Sequence, residues 1–154
     1  MYGYHGGGLT RHQFLVHADS VFLPPEQAWV RTRLAANSSI VGGATPSDGL
    51  TATDVTITTS GLVHNAGDQP TQVWVVVEIF ANSAAAVVAT AAAGPLTVPP
   101  EGNATFETRA TPREAVRLWS VARPALHTAR VTVHAGGSDG PVLDSHNVTF
   151  GVRR

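Results

Sequence analysis

Apolar and polar residues alternate with a period of two along most of this chain, the pattern of strands with one face turned inward. From Val55 the inward set is Val55, Ile57, Thr59, Gly61 and Val63, and the run ends at the turn His64-Asn65-Ala66-Gly67-Asp68. The next run places Val73, Val75, Val77 and Ile79 on one face and Trp74, Val76, Glu78 and Phe80 on the other. Apolar residues on nearly both faces predict a central strand. Between Leu96 and Phe106 lies Pro99-Pro100-Glu101-Gly102-Asn103, a cluster of turn formers that predicts a hairpin corner. The last strands are expected over Ala125–Val133 and Val142–Val152, joined by Ala135-Gly136-Gly137-Ser138-Asp139-Gly140-Pro141. Ala84 to Ala93 is rich in the best helix former. It lies between strand-like runs and contains Val87-Val88-Ala89-Thr90, so a strand is expected there too. About seven short strands with regularly spaced turn signals predict an all-β, antiparallel β-sandwich.

The beginning of the chain differs. It is glycine-rich, with one short strand expected over His12 to His17, followed by Pro24-Pro25. This divides the chain into 1–25, the end of one element, and 26–154, the sandwich. The polar, glycine-rich stretch Asn37–Gly49 is expected to be a mobile loop.

Composition narrows the picture. Hydrophobic residues make up 43% and charged residues 14% of the 154, which argues against disorder and allows a sizeable core. A net charge of −1 supplies no general attraction to nucleic acid or anionic membrane, and the ten cations are scattered arginines. The absence of cysteine excludes thiol nucleophiles, disulfides and Cys-ligated zinc, and leaves the compartment open. Met1-Tyr2-Gly3-Tyr4-His5-Gly6-Gly7-Gly8 lacks the basic start and apolar run of a signal peptide. No apolar run approaches the ~20 residues of a membrane helix. The longest, Val73 to Ala81, is interrupted by Glu78. A soluble protein is the expectation.

Leu118-Trp119-Ser120, Arg123-Pro124 and Leu126-His127-Thr128-Ala129-Arg130-Val131 together resemble a pattern of family 2 glycoside hydrolases, the group of β-galactosidases, β-glucuronidases and β-mannosidases. There it lies in an immunoglobulin-like sandwich between a sugar-binding domain and the catalytic barrel. Gly6-Gly7-Gly8-Leu9-Thr10-Arg11-His12 is similar to the segment that closes the sugar-binding jelly roll, and Phe150-Gly151-Val152-Arg153 to the one that leads into the barrel. The resemblance implies an immunoglobulin-like antiparallel β-sandwich for 26–154 and a remnant of the sugar-binding domain in 1–25. It places Trp119 in the core near the sandwich base. The departures are His127 where the family has tyrosine, Ala125 where another aromatic is common, and a longer Asn37–Gly49 loop.

The family's two catalytic glutamates belong to the barrel, about 5 Å apart, and one stands in an Asn-Glu pair that this sequence lacks. No catalytic residue carries over. Asp48, Asp68, Glu101 and Asp139 fall in turns, and Glu78 reads as a partly exposed strand residue. His12 and His17 point to opposite faces of one strand, whereas Asp144 and His146 share a face. A metal site needs three or four converging ligands, so the histidines read as polar surface or packing residues. Nothing resembles a nucleophile elbow. Of the tryptophans Trp29, Trp74 and Trp119, Trp74 is expected to face an adjoining domain or solvent. Asn37, Asn103 and Asn147 begin glycosylation acceptor patterns, with Asn103 in an exposed turn.

The function implied is that of a non-catalytic spacer, with no cofactor, holding the adjoining sugar-binding and barrel domains of a β-galactosidase-like enzyme in fixed orientation and open to homo-oligomer contacts. A second reading is a free-standing sandwich that binds a glycan or a protein. A third, an enzyme in its own right, finds no catalytic constellation to rest on.

Overall fold

Alternating side chains let each strand bury one face, and antiparallel ladders then satisfy the backbone between them. A computed structural model describes residues 15, 17–42, 49–81 and 86–153. Eleven strands and no helix form among them: β1 Val21–Phe22, β2 Ala28–Leu34, β3 Ile40–Gly42, β4 Leu50–Ala52, β5 Val55–Asn65, β6 Thr71–Phe80, β7 Val87–Val98, β8 Gly102–Ala110, β9 Val116–Arg117, β10 His127–Ala135 and β11 Val142–Phe150. The long ones, of seven to twelve residues, are β2, β5, β6, β7, β8, β10 and β11. The other four are short additions at the ends.

In one sheet β5 is central. Strand β8 runs along one of its edges from Ile57 to Asn65, while β2 and β1 share the other. A second sheet has the order β11-β10-β6-β7. As its two-sided apolar pattern predicts, β6 is central, between β10 and β7. The inward residues of β5 (Val55, Ile57, Val63), β6 (Val73, Val75, Val77, Ile79) and β10 (Ala129, Val131, Val133) are all buried and join Phe106 of β8 in one core. Each fully buried valine or isoleucine contributes about 1.5–3 kcal/mol relative to exposure. Gly61 completes the inward set for a steric reason. A Cβ there would meet the Phe106 ring at 2.8 Å and the Gln27 carbonyl oxygen at 2.7 Å.

Two expectations need correction. Pro99-Pro100-Glu101 is not a hairpin corner, because β7 pairs with β6 whereas β8 pairs with β5. The turn carries the chain from one sheet to the other. Two successive prolines cannot donate to a ladder, and Glu101 (φ 47°) turns the backbone so that its N–H reaches the Gly67 carbonyl, 3.1 Å away. Nor is Asn37–Gly49 wholly loop. Ile40–Gly42 pairs with β4, which pairs in turn with β9, and this small third sheet closes one end of the sandwich. Positions 43–48 lie outside the described residues.

Asn65 anchors the turn after β5. Its side chain is buried, donates to the Gln69 and Val98 carbonyls at 2.8 and 3.3 Å, and accepts the Gly67 N–H at 2.9 Å.

Candidate functional site

The two motifs at Leu118-Trp119-Ser120 and Phe150-Gly151-Val152-Arg153 meet in space. The Trp119 N–H donates to the Val152 carbonyl at 2.7 Å, and the Leu118 N–H to the Leu50 carbonyl at 2.7 Å. The Trp119 side chain packs on Gly151, where a Cβ would stand 3.1 Å from its Cβ and Cγ. From the other side, the Arg153 guanidinium lies 5.7 Å from the centre of the Trp119 ring. Trp119 is therefore only half-buried, and the core position expected for it belongs to its neighbour Leu118. The correction has a simple cause. Alternation sends Leu118 inward, so Trp119 must lie across the chain that leaves β11.

The rest of the segment is just as tightly built. Ser120 and Arg123 exchange backbone hydrogen bonds of 2.8 and 3.1 Å, closing a loop whose tip, Val121, is 88% exposed. Leu50, Leu118, Trp119, Ser120, Val121 and Arg153 line a depression of about 270 Å³ beside the point where the chain leaves the sandwich.

His127 explains how a histidine can stand in a core strand. It is 1% exposed, lies opposite Phe150 in the β10–β11 ladder, and contacts that ring at a centroid distance of 5.6 Å. Its Nε2 donates to the Arg117 carbonyl at 2.9 Å, which fixes the tautomer, while Nδ1 is buried with no partner. The ring thus ties β10 to β9, the strand that delivers Trp119.

A second fastening holds the incoming chain. Val21 and Leu23 are buried in the core, the Ala66 N–H donates to the Ser20 carbonyl at 2.7 Å, and the Leu23 N–H donates to Asp144 Oδ2 at 2.8 Å. Asp144 also accepts the Ser145 N–H and stands 3.6 Å from His146 Nε2. The shared face expected for Asp144 and His146 is present, and Asp144 uses it to grip backbone. From Asp144 to Val152 an extended chain covers about 26 Å, so the entry and exit fastenings sit at opposite ends of β11.

The remaining candidates are dispersed. Glu78 pairs with Arg130 at 3.6 Å. Trp74 is half-buried on the outer sheet face and covers Gly94 (φ 142°), where a Cβ would lie 2.8 Å from the indole. Asn103 stands in β8, not in a turn, with Oδ1 2.9 Å from His64 Nδ1. Asn37 and Asn147 are exposed, as is His17. Asp68, Glu101 and Asp139 occupy connections between strands. Among the described residues no three His, Cys, Asp or Glu side chains converge. The Gly6–His12 segment, His5 and Asp48 lie outside the described residues. The bonds of Asp144 to Leu23 and of Asn65 to the Val98 carbonyl reach across the fold, and alternation alone carries no signal of them.

A family model described as "Glycosyl hydrolases family 2" matches residues 44–153. No curated protein matches. Among solved structures, a Bacteroides uniformis β-glucuronidase covalently bound to cyclophellitol-6-carboxylate aziridine superposes with a TM-score of 0.68 at 15% identity, over 89% of this chain and 15% of that one. A β-glucuronidase from glycoside hydrolase family 2 gives 0.66 at 16% identity, over 89% and 13%. An Eisenbergiella tayi β-galacturonidase bound to galacturonate gives 0.58 at 18% identity, over 87% and 19%. The chain thus spans less than a fifth of the length of each of these proteins, and the likeness is one of fold.

Proposed function

Because this chain belongs to glycosyl hydrolases family 2, we propose that it is the immunoglobulin-like spacer domain of a glycosidase, holding flanking domains at a fixed distance and angle without itself performing chemistry. The observation that carries the reading is the pair of fastenings at opposite ends of β11, Leu23 to Asp144 at the entry and Trp119 to Val152 at the exit. A hinge would leave at least one end loose. Strand orders β2-β5-β8 and β11-β10-β6-β7 support the immunoglobulin-like description, with three long strands and the short β1 facing four.

The division proposed is 1–25 as the end of a preceding sugar-binding domain and 26–154 as the sandwich, with Val21 and Leu23 of the first segment seated in the sandwich core. The partners are that domain and a catalytic barrel, and the bond cleaved by the whole enzyme is a glycosidic one. β-Glucuronides fit the structural neighbours, and β-galactosides the wider sequence resemblance.

The test has two arms. The 154-residue chain is assayed on chromogenic glucuronides and galactosides, with no turnover expected. Turnover that disappears on replacing one carboxylate overturns the non-catalytic role. The chain is also joined at Arg154 to a family 2 barrel and examined by small-angle scattering. A single rigid arrangement is expected, and a freely jointed pair of domains contradicts the spacer role.

A further inference from the structure

The outer face of the β2-β5-β8 sheet carries a feature that the spacer role does not use. In one cross-strand row stand Trp29, Ser60 and Glu107, and in the next Arg31, Thr58 and Arg109. Ser60 is the small member between two large ones, so the row forms a trough, with the indole as one wall and the carboxylate as the other. Trp29 is 47% exposed, although a large aromatic gains most from being covered. Ser60, on the same outer face, is only 7% exposed because the two walls shield it. The depression measures about 530 Å³ and is also bordered by Arg31 and Thr105.

The polar wall is held in place. Glu107 Oε1 accepts from Arg109 Nη2 at 2.8 Å, and Oε2 from Arg31 Nη2 at 3.4 Å and from the Ser60 hydroxyl at 3.5 Å. Exposed ion pairs of this kind add little stability. Their consequence is positional: a carboxylate pinned between two guanidiniums is a fixed acceptor. Each arginine has five N–H donors, more than these contacts consume.

We propose that this trough binds a neutral pyranose ring of a glycan. The apolar C–H face of the sugar packs on the Trp29 indole, and hydroxyls, which both donate and accept, meet the Glu107 carboxylate and the Arg31 guanidinium beside it. Across two strand spacings the Cα atoms of Trp29 and Glu107 stand about 10 Å apart, an opening that suits a single ring. The Glu107 charge is already met by two guanidiniums, so the sugar need bring no charge of its own. A protein partner would have to cover the Glu107 carboxylate, and acidic side chains are depleted at the centres of protein interfaces. The site is independent of the spacer role, and either can fail without the other.

The experiment is a screen of the 154-residue chain against an array of neutral and acidic glycans, followed by NMR titration with the best neutral oligosaccharide while the three indole N–H signals are observed. The expected result is saturable binding that moves the Trp29 signal, weakened roughly tenfold in Trp29→Ala. Glu107→Gln, which leaves the trough's shape intact, is expected to weaken it as well. The proposal is overturned if no neutral glycan is retained better by the chain than by Trp29→Ala, if acidic glycans are preferred, or if the Trp74 or Trp119 signal moves in place of Trp29. It is equally overturned if a flanking domain covers Trp29 in the joined protein.

Discussion

Trp119 packs on the bare Cα of Gly151, and the same residue's N–H is bonded to the Val152 carbonyl at 2.7 Å. Two sequence motifs more than thirty positions apart are thus one joint. Gly151→Leu is expected to push the indole off the exit strand and away from Arg153. The cost should be about 1–3 kcal/mol, the range for forcing extra volume into a packed contact. Urea unfolding, with a shift in tryptophan fluorescence of the folded state, checks it. An unchanged midpoint and spectrum would show that the packing is incidental.

His127 separates packing from hydrogen bonding. His127→Phe keeps an aromatic ring against Phe150 but leaves the Arg117 carbonyl without its donor, which is expected to cost about 1–3 kcal/mol. His127→Ala removes the ring as well and should cost more, about 3–5 kcal/mol by analogy with other large aromatic truncations. A His127→Phe variant as stable as the unaltered chain, measured by denaturant titration, would mean that the hydrogen bond contributes nothing, and equal losses in the two variants would mean the same of the ring packing.

The β10–β11 turn offers an internal control. A Cβ on Gly140 would fall on the Ala135 carbonyl oxygen, a backbone atom that cannot move aside, whereas one on Gly137 meets nothing within 4 Å. Gly140→Ala should therefore destabilise by about 2 kcal/mol or more, and Gly137→Ala by less than about 0.5 kcal/mol. Thermal unfolding of the two variants ranks them. The reverse order would contradict the turn geometry.

Asp144→Ala removes the acceptor for the Leu23 N–H. The expected result is a loss of about 1–2 kcal/mol, with hydrogen exchange accelerating at Val21–Leu23 well before the core of β6 or β10. Protection that stays unchanged at Leu23 would show that Val21 and Leu23 are held by core packing alone.

Much of this was legible in the residues. The inward sets of β5 and β6 follow from alternation, which is a local property of a strand, and so does the central position of β6. The exit joint is marked by its motifs, although they put Trp119 one layer too deep, because a large aromatic reads as core when its partner Gly151 is far away in sequence. The sheet-to-sheet crossing at Pro99-Pro100 was not legible, since turn residues specify a reversal and not the ladder that follows it. Strand β3 of the small third sheet was hidden in a polar stretch whose only apolar pair is Ile40-Val41. Asp144 showed its neighbour His146 by spacing, but its bond to Leu23 spans 121 positions.

The central claim is that entry and exit are rigidly related. Because the chain contains no cysteine, Ser20→Cys and Arg153→Cys can each carry a single spin label, and pulsed dipolar spectroscopy reads the distance distribution between them. A single narrow distribution, broadened by Asp144→Ala or Trp119→Ala, is the predicted result. A broad distribution in the otherwise unaltered chain would contradict the spacer role.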